Sequence, residues 1–311
     1  MIKESNKEQK SLSELKELCH KFDYNFKVGG LNFNTPLNIF LKEFCNEEFE
    51  SMIFHKNLMI QEYKKECSIF ILKGKIIISN LINSSTFEKE KKDPTLLKLE
   101  IKRIFDIDIE PTENYTELKI LFINEASIDN LGKLTLRFEN QKEAQIFRYF
   151  SEKEKMNAWQ QFFEKSIPIP EPYIYQCHFF LKKVNSRGEQ DNRVIVLTNE
   201  YILNIDYQII KKNDSEFIFK LHKPKWALYI KSFEELQLVE KEKKKQNFVI
   251  KIKINQKENR SYVNDKKLPF KNKSSTEFIF QNEKICRFFI FQIKRLYSAF
   301  GEKKFINVIE K

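Results

Sequence analysis

Cys67-Ser-Ile-Phe-Ile-Leu-Lys-Gly-Lys-Ile-Ile-Ile-Ser79 is two β-rich runs on either side of Lys73-Gly74-Lys75. Isoleucine and phenylalanine suit a pleated strand, and a glycine between two such runs supplies the positive φ that a tight hairpin needs. The stretch therefore predicts a β-hairpin, and strands begin from Met52. On its C-terminal side, Leu97 to Ile109 alternates through much of its length and reads as a further strand. Leu118 to Ile123 and Lys133 to Phe138 read as two more. Ser151 then opens a helix with a capping box to Glu154, and Met156, Trp159 and Phe163 lie along one of its faces. Ile167-Pro-Ile-Pro-Glu-Pro172 cannot continue a helix and reads as a stiff linker.

On the N-terminal side, residues 1–50 read as helices. Ser11 and Glu14 form a capping box before Leu12, Leu15, Leu18 and Phe22, and Gly29-Gly30 breaks the chain. Thr35-Pro36 then places a cap and a first-turn proline before Leu37, Phe40, Leu41 and Phe44. Such an amphipathic pair suits covering a neighbouring domain or gripping a partner.

Beyond the linker the order repeats. Tyr173 to Lys183, Arg193 to Asn199, Glu200 to Asp206, Trp226 to Ile230, Leu236 to Val239, Phe248 to Ile254 and Glu277 to Gln281 read as strands. A helix follows from about Glu283 to Phe300, its apolar stripe made by Ile285, Phe289, Ile293, Leu296 and Phe300. Two successive units of several strands and one terminal helix point to an internal duplication.

The first unit resembles the pleckstrin-homology (PH) superfold, a seven-stranded curved sheet closed by a C-terminal helix. Ser68-Ile-Phe-Ile-Leu-Lys-Gly-Lys75 is similar to that fold's second strand and turn, and Phe138 to Phe163 to its last strand and helix. Trp159 stands where PH domains carry their helix tryptophan, which implies a structural role as the plug of the first barrel. The second unit resembles the PH-like tail homology domain of class I myosins. The residues that carry this are Arg193-Val-Ile-Val-Leu-Thr-Asn-Glu-Tyr-Ile-Leu-Asn-Ile-Asp206, a looser Ile230-Lys-Ser-Phe-Glu-Glu-Leu-Gln-Leu-Val239, and Phe248-Val-Ile-Lys-Ile252. The resemblance implies an α+β, mainly β, chain: a helical extension over 1–50, a first PH-like domain over 51–167, a Pro-rich linker over 168–172 and a second, basic PH-like domain over 173–311. It also implies contact with anionic phospholipid for the second domain. The first domain departs from the lipid-binding pattern. Where that pattern places an arginine two positions before the strand phenylalanine, this chain has Ser68, preceded by Glu66 and Cys67, with only Lys64 and Lys65 nearby. A headgroup pocket needs several convergent charged donors, so the first domain is expected to be architectural or protein-binding.

Charge divides the same way. The chain has 55 Lys+Arg and 44 Asp+Glu, a formal net charge of +11. Residues 171–311 hold 29 basic and 17 acidic residues, net +12, which leaves 26 and 27, net −1, in 1–170. The second half is thus directed at an anionic partner, or carries a solvated lysine-rich surface. The residues expected to bind that partner are Lys182, Lys183, Arg187 and Arg193 around one hairpin, with Lys243, Lys244 and Lys245 and Lys266 and Lys267 in two lysine-rich loops.

Catalytic and metal-binding patterns are not found in the sequence. It holds no Walker loop, dinucleotide fingerprint or nucleophile elbow. Its five cysteines are scattered without a C-x-x-C, which suits reduced thiols in a cytosolic compartment and no metal site. His55, His178 and His222 lie in or beside strand-like runs and read as structural. Asp106, Asp108 and Glu110 share one strand face and read as a solvated face rather than paired carboxylates. Trp226 suits a strand core or a stacking contact. No RNA-binding motif accompanies the basic stretches, so nucleic acid is not the expected partner. No run reaches the ~18 apolar residues of a membrane helix, and Met1 to Lys10 carries no apolar signal core.

The expectation is therefore a non-enzymatic scaffold or adaptor without a cofactor. It would dock by PH-like domains on protein partners of a cytoplasmic cytoskeletal assembly, with a microtubule or cilium as the setting and acidic tubulin as a partner type. The alternative is a peripheral membrane adaptor that binds anionic phospholipids or phosphoinositides through the second domain.

Overall fold

The computed structural model describes residues 39–47, 51–82, 93–124, 131–166, 174–184, 190–213, 216–241, 247–259, 275–280, 283–300 and 307–310. The expected linker at 168–172, and most of the expected helical extension, lie outside these residues. The chain divides into two compact units. The first comprises Met1–Phe122, Gly132–Ala158 and Ile210–Ile218; the second comprises Ile123–Leu131, Trp159–Ile209 and Phe219–Lys311.

The first sheet holds β1 (Met52–Ile60), β2 (Lys65–Leu72), β3 (Lys75–Ser79), β4 (Thr95–Glu100), β5 (Ile104–Pro111), β6 (Thr116–Ile123) and β7 (Leu131–Phe138), followed by helix α1 (Gln141–Ser166). Its strand order is β4-β3-β2-β1-β7-β6-β5. The β2–β3 hairpin forms as its sequence predicts: Leu72 pairs Lys75, and Gly74 takes φ +76 in the two-residue turn. β2 is buried without interruption from Cys67 to Leu72 because both of its faces are covered. Ile69 and Ile71 enter the main core with Leu58, Leu99, Leu118, Leu136 and Phe147. Phe70 and Leu72 pack on the other side against Phe40, Leu41, Cys45 and Met52. Phe40, Leu41 and Phe44, the expected stripe residues of the N-terminal helices that the structure describes, lie in a helical turn that continues through Leu41–Cys45.

The strand expected over Leu97 to Ile109 is two strands with a corner between them. The 3-10 turn Ile101–Arg103 separates β4 from β5, and the Ile101 N–H donates to Gly74 O at 2.9 Å. Arg103 is fully buried there, its guanidinium 5.7 Å from the centroid of Phe122. The helix expected to open at Ser151 opens ten residues earlier, at Gln141. Asn140 is the residue that caps it, its Oδ1 accepting the Glu143 N–H at 3.0 Å. Ser151 is fully buried in mid-helix. Met156 leaves the expected apolar face, being 50% exposed while Trp159 and Phe163 are buried.

The second sheet holds β8 (Tyr175–Val184), β9 (Gln190–Thr198), β10 (Tyr201–Lys211), β11 (Phe217–Tyr229), β12 (Phe233–Lys241), β13 (Asn247–Ile254) and β14 (Ser275–Phe280), then helix α2 (Glu283–Ala299) and β15 (Asn307–Glu310). Its order is β11-β10-β9-β8-β14-β13-β12-β15. Setting β15 aside, this is the order of the first sheet repeated seven strands later. The chain is thus mainly β, with two largely antiparallel sheets each followed by a helix. The eighth strand, which the sequence reading does not contain, runs parallel to β12, with Leu236 opposite Val308 and Leu238 opposite Glu310. The second core gathers Phe179 and Leu181 from β8, Ile195 and Leu197 from β9, Trp226 and Leu228 from β11, and Phe278 and Phe280 from β14. α2 seals it with Cys286, Phe289, Ile290, Ile293, Leu296 and Tyr297.

Candidate functional site

The densest described grouping of the expected anion-binding residues is at the β8–β9 hairpin of the second sheet. Antiparallel register pairs Leu181 with Arg193, Lys182 with Asn192 and Lys183 with Asp191. Opposed residues share a face and neighbours alternate, so Lys183 and Arg193 lie on the face that carries Phe179, Leu181 and Ile195 into the core. Lys182 lies on the opposite face, with His178 and Phe180. The four residues that sequence spacing gathers are therefore distributed: two on one face, one on the other, and Arg187 outside the described residues. Lys243, Lys244, Lys245, Lys266 and Lys267 are likewise outside them.

On the core face the cations are partly engaged. Arg193 Nε is 2.9 Å from Asp206 Oδ1, and Lys225 Nζ is 2.6 Å from Asp206 Oδ2. The Arg193 Nη1 also donates to Asn192 O at 2.8 Å. One carboxylate on β10 thus links a guanidinium on β9 to an ammonium on β11. Lys183 Nζ sits 5.8 Å from the centroid of Trp226, a cation over a ring that belongs to the second core. Trp226 is 8% exposed and stacks on Phe278 at 6.3 Å, so it is a core residue rather than a stacking platform. Burial pushes the neighbouring Tyr207 phenol up, with Arg193 acting against it. Chemically the hairpin carries Lys182, Lys183 and Arg193, with Lys225 of β11 joined to Arg193 through Asp206. It is a cationic ridge with two faces, not a ring of donors aimed at one point.

The equivalent place in the first unit is built differently. Ser68 is fully buried; its hydroxyl lies 2.7 Å from Asn57 Oδ1 and accepts the Ile82 N–H at 3.1 Å. Lys65 Nζ donates to Asn80 Oδ1 at 2.5 Å, and Lys64 is an exposed turn residue at φ 53.

Trp159 is fully buried and is itself part of the second unit, as are its ring neighbours. Tyr175 stacks parallel to it at 5.9 Å, and His178 lies 4.8 Å away and shares a 2.7 Å hydrogen bond with the Tyr175 hydroxyl. The first core, by contrast, takes Ala144, Ile146, Phe147 and Phe150 from α1.

The other residues singled out by sequence have structural places. His55 stacks on Phe70 at 4.6 Å, and burial pulls its pKa down to about 4. Cys45, Cys67, Cys177 and Cys286 are free thiols, and burial pushes Cys45 and Cys286 up to about 12. Asp108 Oδ1 accepts the Ile109 N–H at 3.1 Å, and Glu110 pairs with Lys119. Among the described residues no group of three or more His, Cys, Asp or Glu side chains is placed to hold a metal ion. No described helix is long and apolar enough to cross a membrane.

No protein-family model and no curated protein matches the sequence. Solved structures give partial likenesses. The hSac2 domain of the human phosphoinositide phosphatase Sac2 is 11% identical, over 50% of this chain and 88% of that one, at a TM-score of 0.32. An activated truncation of Vav1 is 12% identical, over 51% and 40%, at 0.28. The DH/PH domain of human ARHGEF11, solved with human RhoA and its inhibitor, is 9% identical, over 51% and 48%, at 0.27. The chain spans less than half the length of the last two.

Proposed function

We propose that this chain is a non-catalytic adaptor made of two PH-like units, and that the second unit makes its contact with an anionic partner. The repeated strand order, with a helix after each seventh strand, supports the PH-like reading. The observation that carries the function is the placement of Lys182, Lys183 and Arg193 at one hairpin, with Lys225 of β11 linked to it through Asp206, in the half of the chain whose net charge is +12. Ser68, tied into internal hydrogen bonds, leaves the first unit an architectural or protein-docking role.

The favoured partner is an acidic protein surface, such as tubulin in a microtubule or ciliary assembly. Cations distributed over two faces of the sheet suit an extended acidic strip. A single phosphorylated headgroup wants convergent donors. The second reading is anionic phospholipid, favoured by the likeness of Arg193–Asp206 to class I myosin tails.

The test reverses Lys182 and Lys183 to Glu and leaves Arg193 in place, since a glutamate there would face Asp206. Sedimentation with assembled microtubules is expected to fall about tenfold, given roughly 1 kcal/mol or less per exposed charge contact. Binding of the wild type is expected to weaken with salt, because screening acts over ~8 Å at physiological ionic strength. The Lys64→Glu, Lys65→Glu pair is expected to leave binding unchanged. Loss of phosphoinositide-vesicle binding alone would move the assignment to the second reading, and wild type that binds neither surface at low salt removes it.

A further inference from the structure

α2 carries a second chemistry on the side turned away from the core. Its buried residues occupy one half of the helix, and at about 100° per residue the other half is a continuous exposed arc. In that arc Phe288 and Phe291, one turn apart, are 46% and 59% exposed. Two large aromatic rings at this spacing on a helix already sealed against its own core are not needed for that seal. The Phe288 ring packs on one side against the buried Phe179 ring, centroids 5.9 Å apart, and leaves its other side exposed. The same arc carries Lys284, Arg287, Lys294 and Arg295, all exposed, and one carboxylate, Glu283. That carboxylate sits at the first position of the helix and is paired with Arg287 at 2.7 Å. No acidic residue interrupts the arc between Lys284 and Ser298.

We infer that this outer face of α2 is a contact for an anionic lipid bilayer, lying flat on the surface with Phe288 and Phe291 in the interfacial region and the cations at the phosphates. The inference concerns a different surface from the β8–β9 hairpin and does not rest on the reading proposed above. The charge arrangement selects the occupant. A bilayer takes exposed rings without a preformed pocket, and long cationic stems around such rings reach its phosphates. Each lysine or arginine near an anionic leaflet adds attraction within a Debye length. An acidic protein would match the cations equally well but would need a cavity shaped for two rings.

The experiment uses the full chain with phosphatidylcholine vesicles, with and without phosphatidylserine. Wild type is expected to co-sediment only with the vesicles that contain phosphatidylserine, and less so as salt rises. Phe288→Ser with Phe291→Ser is expected to weaken binding about tenfold or more, given the ring area withdrawn from the interface. Lys284→Glu with Lys294→Glu is expected to abolish it. Both pairs are exposed, and matching circular dichroism and melting curves identify variants that keep the fold. A Phe291→Trp variant gives an independent readout. Its emission, compared with that of wild type, should shift to the blue on vesicles containing phosphatidylserine and be quenched by brominated acyl chains. Lys182→Glu with Lys183→Glu is expected to keep vesicle binding, which separates this face from the hairpin. Wild type that ignores anionic vesicles overturns the inference, as does an indifferent double-serine variant or an unshifted Phe291→Trp spectrum. Phenylalanine-dependent binding to microtubules without vesicle binding also overturns it and makes the occupant a protein.

Discussion

The helices α1 and α2 each follow the seventh strand of an equivalent sheet, yet they are buried in different ways. α2 has one wet side and one dry side along its whole length. α1 changes sides. Ile146, Phe147 and Phe150 face the first core, whereas Trp159 and Phe163 lie about half a turn around the axis. Between them α1 buries polar groups. Glu154 Oε1 accepts from Asn157 Nδ2 at 2.9 Å, and its Oε2 is 3.4 Å from the Gly74 N–H; Lys155 pairs with Glu152 at 2.7 Å. A helix enclosed on successive sides spends its side chains on internal partners. A helix enclosed on one side keeps the other for something outside the fold.

The largest test of this contrast is Trp159→Ala. A buried tryptophan truncation costs about 3–5 kcal/mol. The parallel stack on Tyr175 and the contact with His178 place that loss in the second unit. Hydrogen exchange read strand by strand should show β8 losing protection while β2 keeps it. Loss of protection in β2 with β8 intact would assign Trp159 the expected role of first-barrel plug.

Acid separates the units on a smaller scale. His55 of the first unit is held neutral, its pKa moved from 6.5 to about 4 by burial. The unfolded chain takes up a proton at this histidine as pH falls below 6.5, and the folded chain does not until about 4. Stability from this group is therefore full above pH 6.5 and lost as pH drops toward 4, by up to about 3 kcal/mol. In His55→Phe the difference in urea stability between neutral and acid solution should shrink by that amount. An unchanged slope would mean that His55 is solvated in the folded state.

The smallest effects concern where α1 begins, and they differ in sign. Asn140→Ala removes a cap and should cost about 1 kcal/mol. Ser151 Oγ is buried without a hydrogen bond, so Ser151→Ala should be neutral or stabilising by up to about 1 kcal/mol. Equal losses in both variants would mean that the helix frays up to Ser151.

These elements also show what the sequence made legible. The β2–β3 hairpin is local: its pattern and its glycine sit within thirteen residues of one another. The start of α1 is obscured because Ser151 and Glu154 imitate a capping box inside a helix, whereas Asn140 is followed by polar Gln141, Lys142 and Glu143 with no apolar run to mark it. The corner at Ile101–Arg103 is hidden because apolar alternation continues through it, and only the buried Arg103 betrays it afterwards. At the hairpin, Lys183 and Arg193 were readable as a pair of cations. Their counter-ion needed register: Asp206 lies in the same quoted stretch as Arg193, but Lys225 comes from a strand whose approach no local spacing announces. The outer face of α2 was present in the helical spacing all along. Reading Phe289, Ile293 and Leu296 as the stripe draws attention inward and passes over Phe288 and Phe291.

The short strand β15 has a consequence of another kind. A sheet that ended at β12 would present nine residues, Phe233–Lys241, as a template of open N–H and C=O groups. β15 lies along that margin in parallel register from Glu235 to Leu238, so the chain occupies with its own backbone the position that another molecule's strand would take. Among the described residues the strand it leaves outermost is four residues long, a short rail for edge-to-edge stacking. In colloidal terms the strand is a terminator: along Glu235–Leu238 it withholds the β12 edge from pairing with a second copy.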